Sequence, residues 1–474
     1  MPAEFETVIG LEVHAEMNTA SKIFCGCETA FGGEPNTHCC PVCMGLPGAL
    51  PVFNGGVAEK AILAGLSLGC EITRETVFDR KNYFYPDLPK AYQISQLYHP
   101  ICQGGGIELA SGRFIRLREI HMEEDAGKLI HDPWTESTLA DYNRCGVPLM
   151  EIVTQPDLRS PEEVIEFMQS LKSILEYAGV TDGKMHEGSL RADLNISVRR
   201  PGEGFGTRTE MKNMNSFKAI QRAVTVESER QIALIKRGER VLQETRRWDD
   251  NRDLSYPMRS KENAQDYRYF PEPDLPALHI DEGWLNEACK ALPELPKAKR
   301  ERYFAQFVLP RHDVEILCQT HALTVLLERT AEQGASPKDA ANWILSDVLR
   351  LCREREIEPA ELQLAPKALA EIIAAVNGGR VNRSGGRALL EHVLAGEKAV
   401  EAAIAELGLE LAGDENALGA SIAEVLAENP DAVANYRAGK VKVLGFLAGQ
   451  CMQKLKGRAD PRRVSELLRE ELAK

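Results

Sequence analysis

At 474 residues, 43% hydrophobic and 27% charged, the chain is long enough for two to four domains with ample cores. A formal net charge of −14 excludes a protein coated in base for non-specific nucleic-acid binding, so any RNA contact must come from local basic patches. No apolar run reaches membrane-span length, the acidic start Met1-Pro-Ala-Glu-Phe-Glu lacks the base of a targeting peptide, and twelve cysteines without a secretory signal point to a reducing cytoplasm.

The chain opens on a strand. In Ile9-Gly10-Leu11-Glu12-Val13-His14 the branched residues Ile9, Leu11 and Val13 point one way, so Glu12 and His14 share the other side. Next come the pairs Cys25-x-Cys27 and Cys40-x-x-Cys43 on turns rich in Gly and Pro. Such pairs suit closed tetrahedral Zn²⁺, and a segment with so little core of its own needs a metal to hold it. Cys39 is spare, and spacing leaves open whether it replaces Cys40.

The stretch from Arg80 to Gln93 interleaves Tyr83, Phe84, Tyr85 and Tyr92 with Arg80, Lys81 and Lys90. Stacking faces beside cations suit a single-stranded nucleic-acid end, although a Pro-ordered loop packed on its own aromatics has the same composition. Gly104-Gly105-Gly106, between Ile101 and Ile107, predicts a hairpin. In His121-Met122-Glu123-Glu124-Asp125 three acids are consecutive; if the segment is extended, Glu123 and Glu124 face opposite ways and only one joins a shared site. Glu151 lies in the apolar run Leu149 to Val153.

Ser160-Pro161-Glu162-Glu163 predicts a capped helix start, with Gly179 closing the helix and Val164, Phe167, Met168, Leu171, Ile174, Leu175 and Ala178 on its buried face. Arg191 to Ser197 is a second alternating strand with Asp193, Asn195 and Ser197 outward; Glu187 is in phase if the strand begins that early. Gly202-Glu203-Gly204-Phe205-Gly206 reads as a hairpin tip, Glu210 stands before Lys212, and a second helix runs from about Ser216 to Arg237.

Past Leu292-Pro293 the composition shifts to Ala- and Leu-rich helices, and Gly408 to Gly413 marks a second break. The expected fold class is α+β: an antiparallel-sheet cradle at 1–292, a helical domain at 293–407 and a helical tail at 408–474. In the tail Lys440, Lys442, Lys454 and Arg458 reverse the sign of this acidic chain, as a phosphate-backbone patch would, although solvated helix faces give the same pattern.

Taken singly, the strand acids read as solvated faces. Together with His14 they fit a hard-cation site, since Mg²⁺ takes oxygen ligands from a few carboxylates plus substrate phosphates. No G-x-x-x-x-G-K-[ST] loop and no dinucleotide fingerprint is present, so any ATP use occurs without a Walker fold.

These segments resemble, in order and through most of the chain, the B subunit of the amidotransferase that converts Glu-tRNA(Gln) or Asp-tRNA(Asn) to the amidated form. The resemblance is carried by Gly10-Leu11-Glu12-Val13-His14, the cysteine pairs, Arg80 to Lys90, His121 to Asp125, Asp141 to Leu149, Glu187-Gly188-Ser189-Leu190-Arg191, Glu210 to Phe217 and Tyr267 to Pro273. It implies a ligase whose cradle uses ATP and Mg²⁺ to phosphorylate the side-chain carboxylate of the misacylated residue. Ammonia supplied by a glutaminase A subunit, in a complex braced by a C subunit, then displaces the phosphate.

By the same resemblance Glu12, His14, Glu123, Glu124, Glu151, Glu187, Asp193 and Glu210 bind Mg²⁺ and ATP, and Lys81 and Lys212 counter phosphate charge. Tyr83, Tyr85 and Tyr92 meet the 3′ end of the tRNA, while the tail grips tRNA. The stretch Asn382 to Arg387 follows the family pattern loosely. A second reading is a zinc-stapled tRNA-binding adaptor without catalysis, though an adaptor for a polyanion would not gather carboxylates. A third, the archaeal E subunit, needs a long insertion for which this chain has no room.

Overall fold

The alternating segment Glu6–Glu16 (β1) is the middle strand of a ten-stranded sheet in the computed structural model, which describes residues 4–132, 135–258, 267–396, 399–411, 415–437, 440, 442–455 and 461–473. Six further principal strands are β2 (Phe114–Glu124), β3 (Pro148–Thr154), β4 (Leu190–Arg199), β5 (Thr209–Met214), β6 (Thr245–Asp249) and β7 (Leu254–Pro257). They lie in the order β7-β6-β5-β4-β1-β3-β2, followed by the short strands Cys102–Gln103 and Glu71–Ile72. The expected antiparallel arrangement holds along this path except between β5 and β6, which run parallel.

One face of the sheet is apolar because the branched residues recur every second position. Ile9, Leu11 and Val13 join Ile120, Met122, Met150, Ile152, Leu194 and Ile196 in a core shared with helices α1 (Gly55–Ser67), α2 (Pro161–Tyr177) and α3 (Phe217–Lys236). Fully burying a side chain of this size contributes about 1.5–3 kcal/mol, so this face fixes which residues the opposite face must present.

Ser160 caps α2 by accepting from the Glu163 amide at 3.2 Å. The Glu163 carboxylate reaches back one residue further than a capping box would, to the Arg159 amide at 2.8 Å. Ser216 caps α3 through the Ala219 amide.

Two sequence expectations fail here. Gly104 and Gly105 do not turn a hairpin: the short strands on either side, Cys102–Gln103 and Gly106–Glu108, both pair with β2. The glycines interrupt the strand between these two segments, and Gly105, at φ +78°, lies so close to the Leu68 carbonyl oxygen that a Cβ would sit 2.5 Å from it. Glu187 is not in phase with Asp193, because β4 begins at Leu190 and Glu187 lies in the preceding turn.

The chain divides into two compact units, Met1–Ala298 and Lys299–Lys474. The second is helical and holds two hydrophobic cores, one around Trp343, Ile372 and Leu390 and another around Ile422, Leu447 and Leu468. In the first of these, buried Asp347 receives Arg383 and Arg387, and Glu328 receives Lys299 and Arg302. Among the described residues, no helix is long and apolar enough to cross a membrane.

Candidate functional site

The register assembles a polar floor on the other face of the sheet. His14 of β1 stands opposite Glu151 of β3 and Arg191 of β4; Glu12 stands opposite Asp193; Leu149, next along the face from Glu151, stands opposite Glu123. Asn195 of β4 faces Glu210 of β5. Cross-strand neighbours of this kind place their Cβ atoms about 4.5–5.5 Å apart, close enough for side chains to share a ligand.

Two groups result. His14, Glu123 and Glu151 can each offer a ligand atom within 4.8 Å of the others, as can Glu12, Asp193 and Glu210. In the first group His14 Nε2 lies 3.7 Å from Glu123 Oε1, and Ser95 donates to Glu123 Oε2 at 3.1 Å. Burial and the adjacent Glu151 push the Glu123 carboxyl up. For Glu151, burial is outweighed by His14, His121, Lys81 and Lys212, and its carboxyl is held down. Two carboxyl groups whose affinities for protons are pushed apart form a site that a cation would relieve.

Lys81 sits under an aromatic cover, its Nζ 5.0 Å from the centre of the Tyr267 ring and 5.8 Å from that of Tyr83. Burial works against its charge, yet Glu123, Tyr269 and Glu151 keep it protonated well above the ordinary lysine range. In the second group Lys212 Nζ lies 2.5 Å from Asp193 Oδ2 and 3.5 Å from Glu210 Oε1. Asn195 donates to Glu12 at 3.0 Å and Thr245 to Glu210 at 2.7 Å.

A β-bulge aims Lys212. Ala192 pairs with Met214 but Leu194 with Met211, so Lys212 and Asn213 together face Asp193, and Asn213 takes φ +73°. The extra residue lets Met211 and Met214 both reach the core while Lys212 stays on the polar floor.

Other expected site residues lie elsewhere. Glu124 is on the opposite side of β2 from Glu123, paired with Lys90 and accepting from the Ile94 amide at 2.9 Å. With Lys90, Tyr92, Phe24 and Cys43 it lines a separate cavity of about 80 Å³. Glu187 pairs with Lys184 at 2.9 Å. Tyr83 packs edge-on against Tyr267, and Tyr92 lies under Arg80, which is 4.3 Å from its ring centre; of the three tyrosines Tyr85 is the exposed one. In the tail Lys440 and Lys442 are exposed, Lys454 is paired with Glu424 and Glu428, and Arg458 lies outside the described residues.

The cysteine pairs do meet. The Sγ atoms of Cys25, Cys27, Cys40 and Cys43 lie within 4.8 Å of one another, with Cys40 and Cys43 at 3.9 Å. Zinc–sulfur bonds of about 2.3 Å in a tetrahedron place sulfurs about 3.8 Å apart, so the donor set fits the ion. Cys39 points instead at Asn143, which leaves Cys40 in the quartet. Burial pushes the Cys27 thiol up to about 11, whereas a hydrogen bond from Cys25, the Cys40 amide and Lys22 hold Cys43 down to about 4. Fully buried Lys22 lies 3.7 Å from the Cys43 sulfur and offsets part of the charge of a thiolate cluster.

Comparison with known proteins bears on this arrangement. Residues 7–286 match the family model described as the GatB/GatE catalytic domain, and residues 325–472 match the GatB domain. A protein of Lachnoclostridium phytofermentans, named as the B subunit of aspartyl/glutamyl-tRNA(Asn/Gln) amidotransferase, is 53% identical over 474 residues, covering 99% of each chain. Proteins of the same name from Lachnospira eligens and Caldicellulosiruptor saccharolyticus are 50% and 49% identical, each over 99% of this chain. The chain belongs to the amidotransferase B-subunit family.

Within this family assignment, the catalytic-domain match spans the whole polar floor and the cysteine quartet. Sequence reading missed Lys90 as the partner of Glu124, the Tyr267 ring over Lys81, and Arg191 beside His14. All of these sit inside segments that carry the resemblance, but neither a loop-to-strand ion pair nor an aromatic cover leaves a periodic trace.

Proposed function

We propose that the chain supplies the carboxylate-activating site of a tRNA-dependent amidotransferase, acting with ATP and Mg²⁺ on misacylated Glu-tRNA(Gln), Asp-tRNA(Asn) or both. The observation that carries this reading is that two carboxylate groups, His14–Glu123–Glu151 and Glu12–Asp193–Glu210, occupy one sheet face together with Lys81 and Lys212.

The chemistry asks for such a face. A side-chain carboxylate repels ammonia and has no leaving group. Once one of its oxygens bonds to the γ-phosphorus of ATP and the bond to ADP breaks, the carbonyl carbon can accept ammonia and release phosphate. Negative charge accumulates in both steps, and Lys81 and Lys212 are placed to neutralise it. The acids and His14 would hold the Mg²⁺, which would offset negative charge on the phosphates when bound.

Structural Zn²⁺ in the cysteine quartet pins the loops between Cys25 and Cys43. Ammonia would come from a glutaminase A subunit, a C subunit would brace the assembly, and the complex would work in the cytoplasm. We read the cradle as 1–292, the helical domain as 293–407 and the tRNA-gripping tail as 408–474, with Tyr85 exposed toward the tRNA end. The test is conversion of Glu-tRNA(Gln) to Gln-tRNA(Gln) by the reconstituted complex given ATP, Mg²⁺ and ammonium chloride. Amide formation that requires ATP supports the reading; an ATP-independent reaction, or tRNA binding without reaction on either misacylated tRNA, opposes it.

A further inference from the structure

Arg191 borders both carboxylate groups. It is the second residue of β4, stands directly opposite His14 in the β1–β4 register, and lies two positions before Asp193 on the same face. Its backbone adjoins both groups, but its guanidinium runs toward Asp125 and lies beside Glu16 and Glu123, on the side of the His14–Glu123–Glu151 group.

The guanidinium is fixed along one edge. Its Nη2 donates to Asp125 Oδ2 at 2.6 Å. Asp125 is in turn braced by Arg144, whose Nε lies 3.5 Å away while its own donors are used on the carbonyls of Ala126 and Gly127. Arg191 differs from Arg144 in having, among the described residues, Asp125 as its one protein acceptor. A guanidinium carries five N–H donors in a planar fork; one is used on Asp125, and the side chain is one-third exposed. Burial opposes the charge on Arg191, and Asp125, then Glu16, which is itself hydrogen-bonded to Asp125, and then Glu123 outweigh it.

A planar fork, held at one edge and open at the other, matches an acceptor with two coplanar oxygens. The phosphates have the point charges of Lys81 and Lys212 at hand, whereas a guanidinium offers a carboxylate paired donors in one plane. Resting on the function proposed above, we propose that Arg191 binds the side-chain carboxylate of the misacylated amino acid and holds it beside the His14–Glu123–Glu151 group. Asp125 is the positioning residue that sets the angle of the fork. One carboxylate oxygen forms the bond to the γ-phosphorus while ADP departs with the electrons of the broken bond, and Arg191 keeps its hydrogen bond to the other oxygen.

The test uses the reconstituted complex with ammonium chloride as nitrogen donor, comparing wild type, Arg191→Ala and Arg191→Lys. Arg191→Ala is expected to lower kcat/KM for misacylated tRNA by about 100-fold while KM for ATP and affinity for uncharged tRNA stay within about threefold. Arg191→Lys restores little, because an ammonium cannot make the paired contact, whereas added guanidinium restores activity to Arg191→Ala and not to wild type. A rise confined to KM for ATP would assign the fork to phosphate and overturn the proposal, as would undiminished activity in Arg191→Ala or a loss that guanidinium leaves unchanged. A wild-type complex that shows no ATP-dependent amidation would overturn the parent reading and this inference together; wild-type activity with an unaffected variant overturns this inference alone.

Discussion

Glu123 and Glu124 are neighbours in β2 and leave it on opposite faces, Glu123 toward His14 at 3.7 Å and Glu124 into an ion pair with Lys90. Two adjacent buried acids therefore have different surroundings, one set by the polar floor and the other by a lysine whose side chain is only 8% exposed.

The two will respond differently to removal of charge. Glu123→Gln is expected to reduce ATP-dependent amidation about 10²- to 10³-fold with little change in melting temperature. Glu124→Gln leaves the Lys90 ammonium buried without its counter-charge and is expected to cost about 3–5 kcal/mol, seen as a lowered denaturation midpoint. Identical profiles for the two variants in activity and denaturant titrations would contradict this division.

The cysteine quartet makes a compositional prediction. Purified protein is expected to carry about one zinc per chain by elemental analysis, and Cys43→Ser to lose most of it. Chelation should raise protease sensitivity between Cys25 and Cys43 while the far edge of the sheet, at β6 and β7, stays protected. Full protection without metal would mean that Lys22 and hydrogen bonds hold the loops unaided.

In the helical unit, Glu328 is a carboxylate held below its ordinary range: burial opposes its charge, and hydrogen bonds from Lys299, Arg302 and Tyr303 outweigh burial. A depressed carboxylate contributes stability above its unfolded value of 4.5, and that stability is lost as pH falls through the lower folded value. Glu328→Gln is thus expected to cost about 1–3 kcal/mol at pH 7 and progressively less below pH 4.5. Urea titrations at several pH values check this, and a pH-independent difference would contradict it.

Much of the site was legible because strands alternate with period two. Once Ile9, Leu11, Val13, Leu194 and Ile196 are assigned to the core, Glu12, His14 and Asp193 have nowhere else to point. What periodicity could not give was pairing. Glycines at 104 and 105 signalled a turn, but which strand their flanks would join depended on β2, beyond the turn itself. Likewise the aim of Lys212 depends on a bulge created by Met211 and Met214 both seeking the core, and the fate of Glu124 on a lysine in a distant loop. The four cysteines were legible as a set because two short pairs can close on one ion, whereas the exclusion of Cys39 needed Asn143.

The tail offers a simpler prediction. Lys454 is spent on Glu424 and Glu428, which leaves the exposed Lys440 and Lys442 as the other described cations proposed above for tRNA. Replacing both by Gln should weaken tRNA binding and lower the salt dependence of affinity by up to about two phosphate contacts, without changing ATP turnover at saturating tRNA. Unchanged affinity would remove the tail from the tRNA interface.

The central claim is that the polar sheet face activates a carboxylate with ATP, and it is tested most directly by phosphate release from the reconstituted complex in the absence of any nitrogen donor. The account predicts release stimulated by misacylated Glu-tRNA(Gln) or Asp-tRNA(Asn), not by the uncharged tRNA, and abolished by Glu123→Gln or Asp193→Asn. Release that is indifferent to the aminoacyl group, or that survives both substitutions, would place the activating chemistry elsewhere.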